Sequence, residues 1–287
     1  MPLKMFQAKE RQPEQSHPGK IAHILAVAAG KGGVGKSTVT VNLALALKQA
    51  GYSVGIMDTD IYGPSIRKML PEDEMPVQKG EKLSPAICRG IRVISMAYFR
   101  KENEASAVRA PIANGVIAQF IHKVDWGYLD FLLVDFPPGT GDVQLTLSQQ
   151  AGLCGAIMVT TPQEVAVLDV RKAVHLFDIV NIPIIGIVEN MSYYENKGEK
   201  IYLFGKGGGE RLAHEIGTPL LGHIPIDPKI SACGDAGLPL FTDGEPLSPA
   251  ALAFTELAEA VVAHTTALKR LSTECLPSFE LTWKEMS

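Results

Sequence analysis

Apolar runs of strand length recur along the chain at Ile21 to Ala29, Ser53 to Met57, Ile91 to Tyr98, Leu129 to Val134, Ala156 to Thr161, Pro183 to Val188 and Leu220 to Ile224. Between them, helical patterns are predicted at Ser37 to Ala50, Pro111 to Val124, Val143 to Ala151, Glu164 to Val180 and Gly209 to Ile216. Gly51 stands where the first helix must stop, and Pro111 sits in the first turn of the second, where a missing N–H costs nothing. Strands that remain apolar on both faces and alternate with helices predict an α/β fold, a doubly wound and mostly parallel sheet covered by helices on both sides. Ala250 to Leu268 has helical periodicity and reads as a packing helix. Residues 1–19, mixed in Lys, Glu, Gln, Pro and His, read as a flexible leader. Residues 20–268 read as one domain, and 269–287, with Pro277 and mixed charges, as a tail.

In a parallel α/β sheet, ligands bind outside the carboxyl ends of the strands, so polar motifs that directly follow strands carry the chemistry. Three do. After the first strand comes Gly30-Lys31-Gly32-Gly33-Val34-Gly35-Lys36-Ser37-Thr38, which satisfies G-x-x-x-x-G-K-[ST] between a strand and a helix. Its glycines let successive backbone N–H groups converge on a triphosphate. Lys36 would neutralise the β- and γ-phosphates, and Ser37 would offer its hydroxyl to Mg²⁺, while the helix points its positive end at the same anion. The expected ligand is therefore a nucleoside triphosphate with Mg²⁺.

The other two motifs supply carboxylates. Asp135 ends the apolar run Phe131-Leu132-Leu133-Val134, the place from which a nucleotide hydrolase holds its metal. Pro137-Pro138-Gly139 then makes a stiff loop whose Gly139 amide could sense the γ-phosphate. Asp58 and Asp60 follow the second strand two residues apart. Asp58 is assigned beside the metal, and Asp60, nearer the Gly63-Pro64-Ser65 turn, to orienting the attacking water; both could instead be turn residues without a catalytic part. Lys31 is superfluous to a single phosphate loop. A second cation there could reach a nucleotide held by a facing subunit, as an arginine finger does.

Composition narrows the rest. Lys+Arg 27 against Asp+Glu 31 gives a formal charge of −4, which makes no case for nucleic acid or an anionic membrane as partner. No apolar run approaches the ~20 residues of a spanning helix, and a cytoplasmic location is expected. Cys88, Cys154, Cys233 and Cys275 are scattered, without C-x-x-C spacing, and the seven histidines show no ligand spacing.

The run from Gly30 to Thr38 resembles the deviant Walker A motif of the dimeric ATPases that include MinD, ParA and the nitrogenase iron protein. More narrowly, several segments are similar to the Mrp family of iron–sulfur cluster carriers. These are Asp58 to Ser65, Pro137 to Thr146, Thr161-Pro162-Gln163-Glu164, Glu189-Asn190-Met191-Ser192, Phe204 to Gly209 and Ile224 to Pro228. The likeness spans roughly residues 21 to 265. It implies an ATP-dependent homodimer in which Lys31 crosses the interface, Asp60 and Asp135 act as switch I and Walker B carboxylates, and Asn190 with Pro225 to Asp227 lies near the adenine. It also implies a bridging [4Fe-4S] cargo and client apoproteins or assembly partners. One departure stands out: where that family commonly carries C-x-x-C after Asn-Met-Ser-Tyr, this chain has Asn196 and Glu199. An amide and a carboxylate are not ordinary cluster ligands, and Cys233 is the best placed of the remaining thiols. Two rival readings are a MinD- or ParA-like positioning switch and a regulatory nucleotide module with negligible turnover. The first would call for a membrane-seeking terminal helix or a basic DNA-binding face, and neither is evident.

Overall fold

A computed structural model describes residues 21–61, 63–99, 110–139, 141–241 and 247–274. The elements run β1 (Ile21–Ala29), α1 (Lys36–Gln49), β2 (Val54–Asp58), α2 (Ile66–Met69), β3 (Val77–Lys79), β4 (Lys82–Ser84), β5 (Ala86–Cys88), β6 (Ile91–Ser95), α3 (Ala110–Lys123), β7 (Leu129–Asp135), α4 (Asp142–Gln150), β8 (Gly155–Thr160), α5 (Glu164–Ile179), β9 (Ile184–Glu189), β10 (Tyr194–Asn196), β11 (Glu199–Ile201), α6 (Gly208–Ile216), β12 (Leu220–His223), α7 (Pro228–Ala236) and α8 (Pro249–Glu274). The predicted leader, 1–19, and all of the tail past Glu274, Cys275 included, lie outside the described residues.

Eight strands form one sheet in the order β12-β9-β8-β1-β7-β2-β6-β5, parallel except for the β5 edge. β1 lies between β7 and β8, with Val27 paired to Asp135 on one side and Ile157 on the other. β7 in turn pairs in register with β2, Asp58 against Asp135. This register sets the strand-end carboxylates of β2 and β7 side by side beneath the loop that leaves β1.

Each face of the sheet has its own core. One joins Leu25, Val27, Ile56 and Leu133 to Leu43 and Leu47 of α1 and Phe254, Leu257 and Val261 of α8. The other joins Ala26, Met57, Leu132 and Met158 to Ile117, Leu147, Val170, Phe177 and Leu212 of α3 to α6. Because α1 is sandwiched between the sheet and α8, most of its residues are buried, and the Val, Leu and Ala run that predicted it shows almost no amphipathic stripe.

All seven predicted strands are present. The apolar run to Tyr98, however, breaks at Ser95, whose hydroxyl accepts from the Ala97 N–H and opens a 3₁₀ turn over Met96–Tyr98. The edge strand β5, the hairpins β3–β4 and β10–β11, and α7 were not anticipated. Three-residue strands with exposed polar positions carry no readable period. α7 is announced only by an Asp227 cap, Pro228 at its first position and Gly237 at its end, where φ is 66°.

Candidate functional site

The loop from Gly30 to Gly35 leaves β1 and enters α1 directly, with Gly35 (φ 81°) at the helix N-cap. Two close approaches fix its path. A Cβ on Gly30 would stand 2.1 Å from the Asp169 backbone of α5, and one on Gly35 would stand 2.2 Å from Asn190 Nδ2. No other residue fits either position, so α5 and the β9–β10 connection can press against the loop. The Asn190 side chain donates to the Val34 carbonyl at 2.8 Å. Gly32 and Gly33 are exposed, and Lys31, Ser37 and Thr38 are half-buried.

Asp135 is the hub. Lys36 Nζ lies 2.6 Å from its Oδ2, the Ser37 hydroxyl donates to the same oxygen at 2.7 Å, and the Thr40 hydroxyl donates to Oδ1 at 2.6 Å. Thr59 anchors the backbone from the β2 side, its hydroxyl donating to the Asp135 carbonyl at 2.6 Å. Beside this hub Asp58 is buried, accepting from the Ser95 hydroxyl at 2.8 Å and from the Asp60 N–H at 3.1 Å. Burial, joined by the neighbouring Asp135 carboxylate and opposed by Ser95 and Lys36, pushes the Asp58 carboxyl up to about 7. Ser95 was not foreseen as part of the site.

Asp60 lies just past the strand end, and its carboxylate accepts from the Gly63 N–H at 3.2 Å, which ties the turn to its own start. Gly139 adopts φ 97° in a loop held by Gln144, whose amide donates to the Pro138 carbonyl at 2.6 Å. Beside Asn190, Pro225 is buried, and the Ile226 N–H donates to the Tyr193 carbonyl at 2.7 Å. The Asp227 carboxylate accepts from the Lys229 N–H at 2.8 Å and so caps α7, a role the sequence did not suggest.

A second buried centre was missed altogether. Glu189, the last residue of β9, accepts from the Ser192 hydroxyl at 2.5 Å, the Gly209 N–H at 2.6 Å and His223 Nδ1 at 3.1 Å. Burial alone would raise its carboxyl, but these donors outweigh it and hold the group below the usual range. The same contact raises His223, with Glu210 adding to the pull from 3.3 Å. Ser192 and Gly209 are the two roots of the segment that carries β10 and β11. At its tip Lys197 (φ 51°) and Gly198 (φ 84°) form a two-residue turn, so Asn196 and Glu199 face each other across the hairpin. Residues at the C-x-x-C positions are therefore cross-strand neighbours on an exposed tip, and an amide and a carboxylate there do not fit a cluster. Among the described residues, the other thiols do not supply the lack. Cys88 is buried against the Tyr98 hydroxyl, its thiol pushed up to about 11 by burial. Cys154 is exposed at the opposite end of the sheet, donating to the Ile24 carbonyl, and Cys233 packs on the core from α7.

A parallel sheet with a glycine-rich phosphate loop after β1, and a carboxylate at the end of β7 facing the loop's lysine and serine, defines a P-loop NTPase. The chain belongs to the ParA-group family described as NUBPL iron-transfer P-loop NTPases, whose profile matches residues 20–262. It is 43% identical over 262 residues to the iron-sulfur cluster carrier protein of Synechocystis, covering 88% of this chain and 74% of that one. Among solved structures, a nucleotide-binding protein from Archaeoglobus fulgidus in complex with ADP is 38% identical. It superposes with a TM-score of 0.69 over 82% of this chain and 92% of its own. The Pyrococcus furiosus cell division ATPase MinD shares the fold, with a TM-score of 0.60 at 24% identity over 85% of this chain and 99% of its own. No helix among the described residues is long and apolar enough to cross a membrane.

Proposed function

We propose that this chain binds and slowly hydrolyses Mg-ATP as an ATP-dependent homodimer that serves iron–sulfur cluster assembly in the cytoplasm, its own hairpin contributing no cluster ligands. The observation that carries the reading is the meeting of Lys36 and Ser37 on Asp135, each within 2.7 Å of its Oδ2, at the carboxyl ends of the central strands. Ser37 and Asp135, with Asp58 behind, form an oxygen donor set that suits a hard cation such as Mg²⁺. When bound, that ion neutralises charge on the β- and γ-phosphates. Lys36, now paired with Asp135, turns to the phosphates. Asp60 orients the attacking water from the turn beside Gly63. The Gly139 amide faces the γ-phosphate, and Lys31 reaches toward the nucleotide of the facing subunit. Asn190, Pro225 and Asp227 border the adenine, and Asn190 also braces the loop.

Cargo is where this chain departs from its relatives. A bridging [4Fe-4S] cluster in a two-fold dimer needs two placed thiolates per subunit, and Asn196 with Glu199 provide none. The ATPase cycle is kept while cargo is held by a partner or client apoprotein. Anaerobic reconstitution followed by iron and sulfide analysis tests this. Substoichiometric iron supports the reading; about four irons per dimer that transfer to an apoprotein contradict it.

A further inference from the structure

The Thr40 hydroxyl is spent in an unusual way. Helical threonines ordinarily return their proton to the carbonyl four residues back, as Thr255, Thr265 and Thr266 of α8 do to Ala251, Val261 and Val262. Thr40, fully buried in the first turns of α1, has that option at 3.0 Å from the Lys36 carbonyl, yet its Oγ1 stands 2.6 Å from Asp135 Oδ1. A hydroxyl has one proton, and a buried carboxylate at the shorter distance is the stronger acceptor, so the proton lies on the line to Asp135.

The consequence is a division of labour between the two carboxylate oxygens. Oδ2 meets Lys36 and Ser37, both of which are assigned to nucleotide and metal, whereas among the described residues Oδ1 meets only Thr40, a side chain with no other task. We infer that Thr40 is a positioning residue: it locks Oδ1 so that Oδ2 alone is presented toward the metal when Lys36 leaves for the phosphates. This rests on the nucleotide reading of the loop and adds to it a residue outside the phosphate-loop motif. Without the hydroxyl, Oδ1 loses its donor, and once Lys36 turns to the phosphates Ser37 alone among the described side chains holds the carboxylate against rotation about its Cβ–Cγ bond.

The test is binding of methylanthraniloyl-ATP, followed by fluorescence in EDTA and across a Mg²⁺ titration, alongside thermal melting. Thr40→Val keeps the shape and removes the hydroxyl. It should bind the analogue in EDTA within about twofold of the parent and need about tenfold more Mg²⁺ for half-maximal binding, the loss of one charge-assisted hydrogen bond. Thr40→Ser should return the Mg²⁺ requirement to within about twofold. If Thr40→Val keeps the parent's Mg²⁺ dependence, or loses binding equally in EDTA, the hydroxyl serves only helix packing or loop shape and the inference is wrong. Should the valine not fold, Thr40→Ala takes its place, and in an Asp135→Asn background it should shift the Mg²⁺ titration no further; an added shift there also overturns the inference. A parent that binds no nucleotide contradicts the function proposed above rather than this assignment.

Discussion

Asp135 and Glu189 occupy equivalent stations, each the buried last residue of a parallel strand, yet their partners differ in kind. At Asp135 the partners on Oδ2 are a lysine and a serine that the phosphate loop assigns to a triphosphate and its metal, and a second carboxylate, Asp58, crowds beside it. On the function proposed above, the network there opens when nucleotide and metal bind. At Glu189 the donors are a backbone N–H, a serine and a histidine from three separate segments, and they gather the roots of the β10–β11 hairpin onto the sheet. On that reading, the same position in the fold serves exchange at one strand and fastening at another. What decides between them is whether the donors can leave.

The largest expected effect follows from fastening. Glu189→Ala leaves Gly209, Ser192 and His223 without their buried acceptor, and breaking such a charged network costs about 3–5 kcal/mol. A melting temperature lowered by roughly 10 °C is expected for a domain of this size. Asp135→Asn should cost much less stability, because it also relieves Asp58 of a neighbouring charge. If calorimetry ranks the two substitutions the other way, the comparison fails.

A smaller effect concerns pH. His223 is raised by Glu189, so its contribution is fully present below the ordinary histidine value of 6.5 and is lost as pH rises through the higher folded value. Glu189 is lowered, so its share is present above 4.5 and lost as pH falls through the depressed value. Asp58, raised from 3.8 to about 7, also loses stability as pH climbs across that interval. The difference between parent and His223→Gln isolates the clasp. Urea midpoints of the two should converge above the histidine range and separate below it, and a constant gap would show that His223 acts through packing alone.

The smallest expected change in stability, and the sharpest for cargo, is at the hairpin tip. Asn196→Cys with Glu199→Cys alters two exposed cross-strand positions, where substitutions usually stay within about 0.5 kcal/mol. The double variant should gain iron and sulfide on anaerobic reconstitution while the parent does not. Equal iron in both would place the cluster elsewhere.

The side chains that meet at Asp135 Oδ2 sit in motifs legible in the sequence, and those that meet at Glu189 do not, for one physical reason. Lys36, Ser37 and the strand-end carboxylates sit in motifs whose spacing is dictated by the ligand, and strands buried on both faces leave unbroken apolar runs. The Glu189 centre is assembled from positions 189, 192, 209 and 223, one of them a backbone N–H, so no local spacing encodes it. Thr40 and Ser95 were hidden likewise, because a buried hydroxyl in a helix or strand looks like any other until its acceptor is known. The capping role of Asp227 escaped because α7 is small and polar.

The most direct test of the central claim is steady-state Mg-ATP hydrolysis by the purified parent, Lys36→Ala and Asp60→Ala, with nucleotide binding measured on the same samples. The parent should turn over slowly, Lys36→Ala should neither bind nor hydrolyse, and Asp60→Ala should bind ATP without turnover. Hydrolysis by Lys36→Ala at the parent rate would contradict the assignment of this loop as the site of chemistry.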